Sequence, residues 1–187
     1  MYLLYIAVLS WCVAAYPAAN VPKGFGKRLM IFKRLDHCKD QGLGTWTFSV
    51  SLVKTGSKYL FNGNITWPLD IDENLKVRIT ASLFKDGQFH DGYLDAIMDG
   101  CQQFEQLSNG FLKSFFASTD IENNQCPYPK GTYIYKNFQM ESNPTLPNST
   151  PNGLYNLNIY IIDGKDNLLG CGTSYVDVKA DNRKAKQ

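Results

Sequence analysis

Two stretches of strict two-residue alternation limit the fold most severely. Thr45 to Val53, TWTFSVSLV, sets Trp46, Phe48, Val50 and Leu52 against Thr45, Thr47, Ser49 and Ser51. Leu75 to Phe84, LKVRITASLF, sets Leu75, Val77, Ile79, Ala81 and Leu83 against Lys76, Arg78, Thr80 and Ser82. Successive side chains of an extended strand point to opposite faces, so each stretch reads as a strand with one apolar and one wet face. Such a face needs a second layer to cover it.

The rest of the chain supplies that layer. KYLFNGNITW lies between the two stretches and reads as a strand with Asn-Gly punctuation, and RLMIFKRL precedes Cys38 as another. GTYIYKNFQM, GLYNLNIYIID and LLGCGTSYVDVK follow, separated by NPTLPNSTPNG and by DGKDN, whose Asp163-Gly164 is a hairpin signal. Only Leu94 to Ala117 differs: Ile97, Cys101, Phe104, Leu107, Phe111, Phe115 and Phe116 recur at helical spacing, broken at Ser108-Asn109-Gly110, which predicts one or two short helices. About seven or eight strands with one helical insertion predict an all-β, single-domain, immunoglobulin-like two-sheet β-sandwich.

The opening MYLLYIAVLSWCVAAYPAAN has no charge from Tyr2 to Ala15 and small residues after it, the pattern of a secretory leader over residues 1–15 cleaved after Ala14 or Ala15. Its apolar run falls short of the roughly 20 residues of a membrane span. The expectation is one secreted, extracellular domain over 16–187. Cys12 leaves with the leader, so Cys38, Cys101, Cys126 and Cys171 remain, an even set that reads as two disulfides in an oxidising compartment, with three pairings open. The sequons Asn64-Ile65-Thr66 and Asn148-Ser149-Thr150 fit that compartment as glycosylation acceptors, the second weakened by Pro151.

Several chemistries are disfavoured. A net charge of +2 with scattered Lys and Arg argues against nucleic acid. The cysteines lack C-x-x-C or Cys–His spacing, so no metal site is expected, nor any cofactor. His37 reads as a surface residue. His90 has Asp91 beside it, but no G-x-S-x-G elbow accompanies them. Asp70 and Asp72 read as a solvated turn rather than a carboxylate pair. KGFGKR lacks the helix and lysine of a phosphate loop. No enzyme is expected.

Longer motifs are more specific. Cys101-Gln102-Gln103-Phe104, then CPYPKGTY, then NPTLPNSTPNGLYNLNIYIIDGKDNLLGCG, resemble the C-terminal half of the ganglioside activator protein and its relatives in the ML lipid-recognition superfamily. The matching positions are Cys101, Cys126-Pro127, Gly131 and Tyr133, Pro144 and Pro147, Gly153 and Tyr155, and Leu169-Gly170-Cys171. NGNIT and FKRLDHCKD extend the resemblance over residues 29–178. The insect CheA and CheB chemosensory groups, related to the activator, are similar in size and layout. The activator's additional disulfides around the helical insertion are lacking here.

The resemblance implies that Cys101 pairs with Cys126 and Cys38 with Cys171. It also implies two splayed sheets enclosing an apolar pocket for acyl chains. The insertion residues Phe111, Leu112, Phe115 and Phe116 would cover its open edge. Trp46, Phe48, Val50, Trp67, Val77 and Ile79 on the earlier strands, and Ile134, Phe138 and Ile159 on the later ones, would line it; an ordinary dry core remains the alternative for most strand residues. The implied function is non-enzymatic binding or carriage of a lipid or other long-chain hydrophobic ligand, with transient membrane-surface contact and a receptor or lipid-processing enzyme as partner, in chemosensation if the insect likeness holds. The rival reading is a lipid-free immunoglobulin-like module that binds a protein receptor through exposed aromatics.

Overall fold

The computed structural model describes residues 25–56, 58–107, 111–119, 125–140 and 145–180. The leader expected over residues 1–15, the Ser108-Asn109-Gly110 break and Pro144 lie outside them. Among the described residues nine strands and two short helices run in the order β1 (Phe25–His37), β2 (Thr47–Thr55), β3 (Lys58–Trp67), β4 (Lys76–Lys85), β5 (Gln88–Asp99), α1 (Gly100–Leu107), α2 (Phe111–Phe116), β6 (Gly131–Met140), β7 (Thr145–Pro147), β8 (Gly153–Ile162) and β9 (Leu168–Ala180). All strand pairs are antiparallel and fall into two sheets, β5-β4-β8-β9-β1-β7 and β2-β3-β6. The two sheets meet through their apolar faces, with Phe32 of β1 edge-on to Tyr59 and Phe61 of β3 at 5.6 and 5.5 Å. This is the immunoglobulin-like β-sandwich that the alternation predicts.

Register explains which residues face the partner sheet. Met98, Val77, Ile161 and Gly170 form one row across β5, β4, β8 and β9, and Ala96, Ile79, Ile159 and Gly172 form the next. The two glycines make room for the opposite layer. A Cβ on Gly170 would sit 2.5 Å from the Trp46 carbonyl oxygen and 3.1 Å from its Cε3, and one on Gly172 would sit 3.1 Å from Phe48 Cε1 and 3.3 Å from Trp46 Cη2. Cys171 between them bonds Cys38, with 5.3 Å between their Cα atoms. The loop after β1 is fastened to the same strand: Gln41 Nε2 donates to the Cys38 and Cys171 carbonyls at 2.6 and 2.8 Å, and the Trp46 N–H donates to the Leu169 carbonyl at 2.9 Å.

Three sequence expectations need correction. Leu94 to Asp99 is the second half of β5, with Leu94, Ala96 and Met98 buried, and helix begins only at Gly100. The apolar Ile97 mimicked helical spacing, but it stands on the outer face of an edge strand, 55% exposed. Ser82, expected outward, is buried because register shifts between Ala81 and Leu83; its hydroxyl donates to Asp91 Oδ1 at 2.5 Å. The Pro-rich separator contains β7, which pairs Thr145 to Pro147 with Lys27 to Phe25. The β8–β9 hairpin forms as expected, although its left-handed residue is Asp166 (φ 63°) rather than Gly164. The Asp163 carboxylate holds this turn, accepting from the N–H groups of Lys165 and Asn167 at 2.8 Å each.

One repeated device escapes a reading by periodicity alone. PKGTY and PNGLY share the form P-x-G-x-Y at the starts of β6 and β8, and in each the tyrosine hydroxyl donates to the carbonyl of the proline four residues earlier: Tyr133 to Pro129, and Tyr155 to Pro151 at 2.9 Å. Each ring is buried while its polar tip finds a partner, as a buried phenol requires.

Candidate ligand-binding interior

Eleven of the thirteen residues expected to line an apolar interior are brought into one cluster between the sheets. Trp46, Trp67, Val77, Leu112, Phe115, Phe116 and Phe138 are buried in it, and Phe48, Val50, Ile79 and Ile159 pack against it half-buried. Ile134 is not brought there. It stands 61% exposed on the opposite face of β6 from Tyr133 and Tyr135, paired across β3 with Asn64 of the first sequon. Phe111 opens α2, and its side chain lies outside the described residues. The cluster also holds residues outside those thirteen, among them Tyr59 and Phe61 of β3, and Ile71, Phe104 and Tyr128 around the insertion.

The insertion packs as a layer rather than as a loose edge. Cys101 of α1 is bonded to Cys126, with Cα atoms 5.9 Å apart, and its N–H donates to the Asp72 carbonyl at 3.0 Å. Both disulfides are therefore the pair that the family resemblance implies. Phe116 of α2 stacks on Tyr128 at 4.1 Å and 12° and meets Tyr133 edge-on at 5.0 Å. Phe115 contacts Tyr135 at 5.2 Å and Phe138 at 5.5 Å. Phe116 is 0% exposed and Leu112 1%, so these side chains cover the apolar face of β6 from within and do not stand at a rim.

The two faces of the sandwich are not equally closed. Phe48, Val50 and Leu52 alternate inward along β2, the edge of the small sheet, yet each remains only half-buried, as do Ile65 on β3 and Ile79 and Ile159 opposite. A three-stranded sheet covers only part of a six-stranded one. Beside the main cluster lies a second on the large sheet, with Met30, Ala81, Leu83, Tyr155, Val176 and Val178, and Phe32 and Ile79 touch both.

Electrostatics in the interior are those of neutral groups. Burial pushes the phenols of Tyr128, Tyr133 and Tyr135 up, and that of Tyr155 up to about 12; the Glu105 carboxylate, 2.5 Å from the Tyr128 hydroxyl, adds to the shift there. The ionisable groups considered as catalytic candidates are engaged elsewhere. His37 and His90 bond main-chain carbonyls, of Phe48 at 3.0 Å and Lys85 at 3.1 Å. Asp70 accepts from the Lys130 N–H at 2.7 Å and Asp72 from the Asn74 N–H at 2.8 Å, so beside a cleft of about 300 Å³ Asp72 holds its own turn and Asp70 ties its segment to the residue before β6. Among the described residues no helix is long and apolar enough to cross a membrane, and no cluster of three or more metal-ligating side chains occurs.

Residues 75–157 match a family model described as a protein of unknown function (DUF1091). No curated protein matches the chain. Among solved structures the chain is similar to chicken MD-1 complexed with lipid IVa, at 10% identity and a TM-score of 0.37, covering 84% of this chain and 98% of that one. It is also similar to a Niemann-Pick type C2 protein from the Japanese carpenter ant, at 12% identity and a TM-score of 0.33, covering 76% and 97%.

Proposed function

We propose that this chain is a secreted, non-enzymatic binder or carrier of a lipid or other long-chain hydrophobic ligand, held between its two sheets. The observation that carries the reading is the row of inward-facing apolar side chains, Phe48, Val50, Leu52, Ile65, Ile79 and Ile159, that remain half-buried along the border of a closed aromatic core. An alkyl chain seated on them removes that surface from water and gains roughly 0.8 kcal/mol per buried CH₂. A chain of about sixteen methylenes gains roughly 13 kcal/mol, which leaves about micromolar affinity after an association cost of roughly 4–5 kcal/mol. Such binding needs no catalytic group; specificity follows from depth and from a few polar contacts. Presentation of hydrophobic cues in chemosensation and delivery to a receptor or lipid-processing enzyme extend the same reading. A glycan on Asn64 would stand beside Ile134 on the outer face of the small sheet, opposite the ligand; Asn148, the other sequon, is also exposed.

The second reading, a lipid-free module for a protein receptor, is favoured by one feature. Phe84 and Phe89 at the β4–β5 hairpin are 43% and 37% exposed, with rings 5.1 Å apart, and Phe89 lies 5.9 Å from Tyr175. Native mass spectrometry of gently purified protein separates the two. Carriage predicts a bound long-chain molecule, or its uptake from vesicles by the emptied protein; an empty chain that takes up no fluorescent fatty acid and extracts no lipid supports the receptor module.

A further inference from the structure

Two polar atoms inside the aromatic core have no partner among the described residues. Trp46 and Trp67 are 6% and 5% exposed, their rings lie 5.8 Å apart, and neither indole Nε1 meets a hydrogen-bond acceptor of those residues. Both belong to the inter-sheet cluster, and the six-membered ring of Trp46 lies over Gly170 and Gly172. The indole N–H is a donor only. Buried donors are almost always satisfied, and one left unmade carries the full desolvation penalty. Phe and Tyr supply the other aromatic side chains of the cluster, so an aromatic core here does not of itself call for an indole N–H.

We propose that Trp46 and Trp67 recognise a carbonyl oxygen of a long-chain ester bound between the sheets. The inference rests on the carrier reading and sharpens it: the preferred ligand is an acyl compound whose carbonyl lies within the apolar interior, and a plain hydrocarbon of equal length is the poorer one. The group facing the indoles must accept, because both offer only a proton. It is neutral, because two neutral dipoles do not offset the cost of burying a full charge. Phe48, 5.1 Å from Trp46, belongs to the half-open apolar row, so the acyl chain that lies along β2 brings its carbonyl to the indoles.

The test compares methyl palmitate with hexadecane on the full secreted chain, by competition against a fluorescent fatty-acid probe and by the Nε1–H signals of Trp46 and Trp67 in ¹⁵N-labelled protein. Wild-type protein is expected to prefer the ester by about tenfold, the equivalent of one hydrogen bond of ordinary strength. At least one indole proton is expected to move downfield with ester and stay in place with alkane. Trp46→Phe and Trp67→Phe keep a ring in place; at least one of them is expected to lower the ratio of ester to alkane affinity from about tenfold towards one. Equal affinities for ester and alkane, unmoved indole signals in the ester-saturated protein, or an ester preference that survives both substitutions overturns the proposal and leaves carriage standing. Binding of neither compound overturns both.

Discussion

At the residue scale, some of the buried side chains are ones that a sequence pattern alone leaves ambiguous. Phe115 and Phe116 could have been a mobile cover, since four large apolar residues in a short insertion look like surplus. Their packing against Tyr128, Tyr133, Tyr135 and Phe138 makes them core. Phe116→Ala is therefore expected to destabilise the fold by about 3–5 kcal/mol, the cost of emptying a fully buried phenylalanine site. Urea unfolding of the variant checks this, and a midpoint close to wild type would return Phe116 to the surface. Gly170 and Gly172 were legible only as part of a family motif. Their physical role, admitting Trp46 and Phe48 from the other sheet, depends on a contact between segments far apart in the chain, which no local pattern encodes.

At the element scale, strands with one wet face were legible and the others less so. Although Ser82 farther along β4 is buried, β2 and the first half of β4 alternate because polar residues occupy most of their outward positions. β5 does not: its exposed Ile97 placed an apolar residue on both faces, and the helical spacing that resulted moved the expected start of the insertion six residues too early. β7 is three residues long and holds Pro147, too short to show any period. The insertion itself is tied to the body by Cys101–Cys126, closing a loop with a sequence separation of 25. Replacing both cysteines by serine is expected to cost about 3 kcal/mol in the chain-entropy account. Denaturant titration measures this; proteolysis at the insertion should also quicken while the strands stay protected in hydrogen exchange. Loss of all β-sheet protection would mean that the bridge holds the sandwich together rather than its cover.

At the scale of the whole molecule, the sandwich keeps four phenols neutral. Tyr128, Tyr133, Tyr135 and Tyr155 have their pKa raised by burial. A raised folded value means that the unfolded chain releases these protons first as pH rises. The stability they support is thus fully present below pH 10, their ordinary value, and is lost as pH climbs from there towards about 12, the value for Tyr155. Absorbance at 295 nm should accordingly show part of the tyrosinate signal arriving together with the loss of β-sheet circular dichroism. Ionisation of all the tyrosines well before unfolding would contradict the packing described here.

The proposed seat of the ligand, the half-open apolar row between the sheets, is tested most directly by photolabelling. A long-chain fatty ester carrying a diazirine on its acyl tail would be bound, irradiated and located by peptide mass mapping. The predicted adducts fall on Phe48, Val50, Leu52 or Ile65 of the small sheet and on Ile79 or Ile159 opposite, which converge from distant segments only in the folded sandwich. Adducts confined to Phe84, Phe89 and Tyr93, the exposed aromatics of the β4–β5 hairpin, would place the ligand outside and contradict the account.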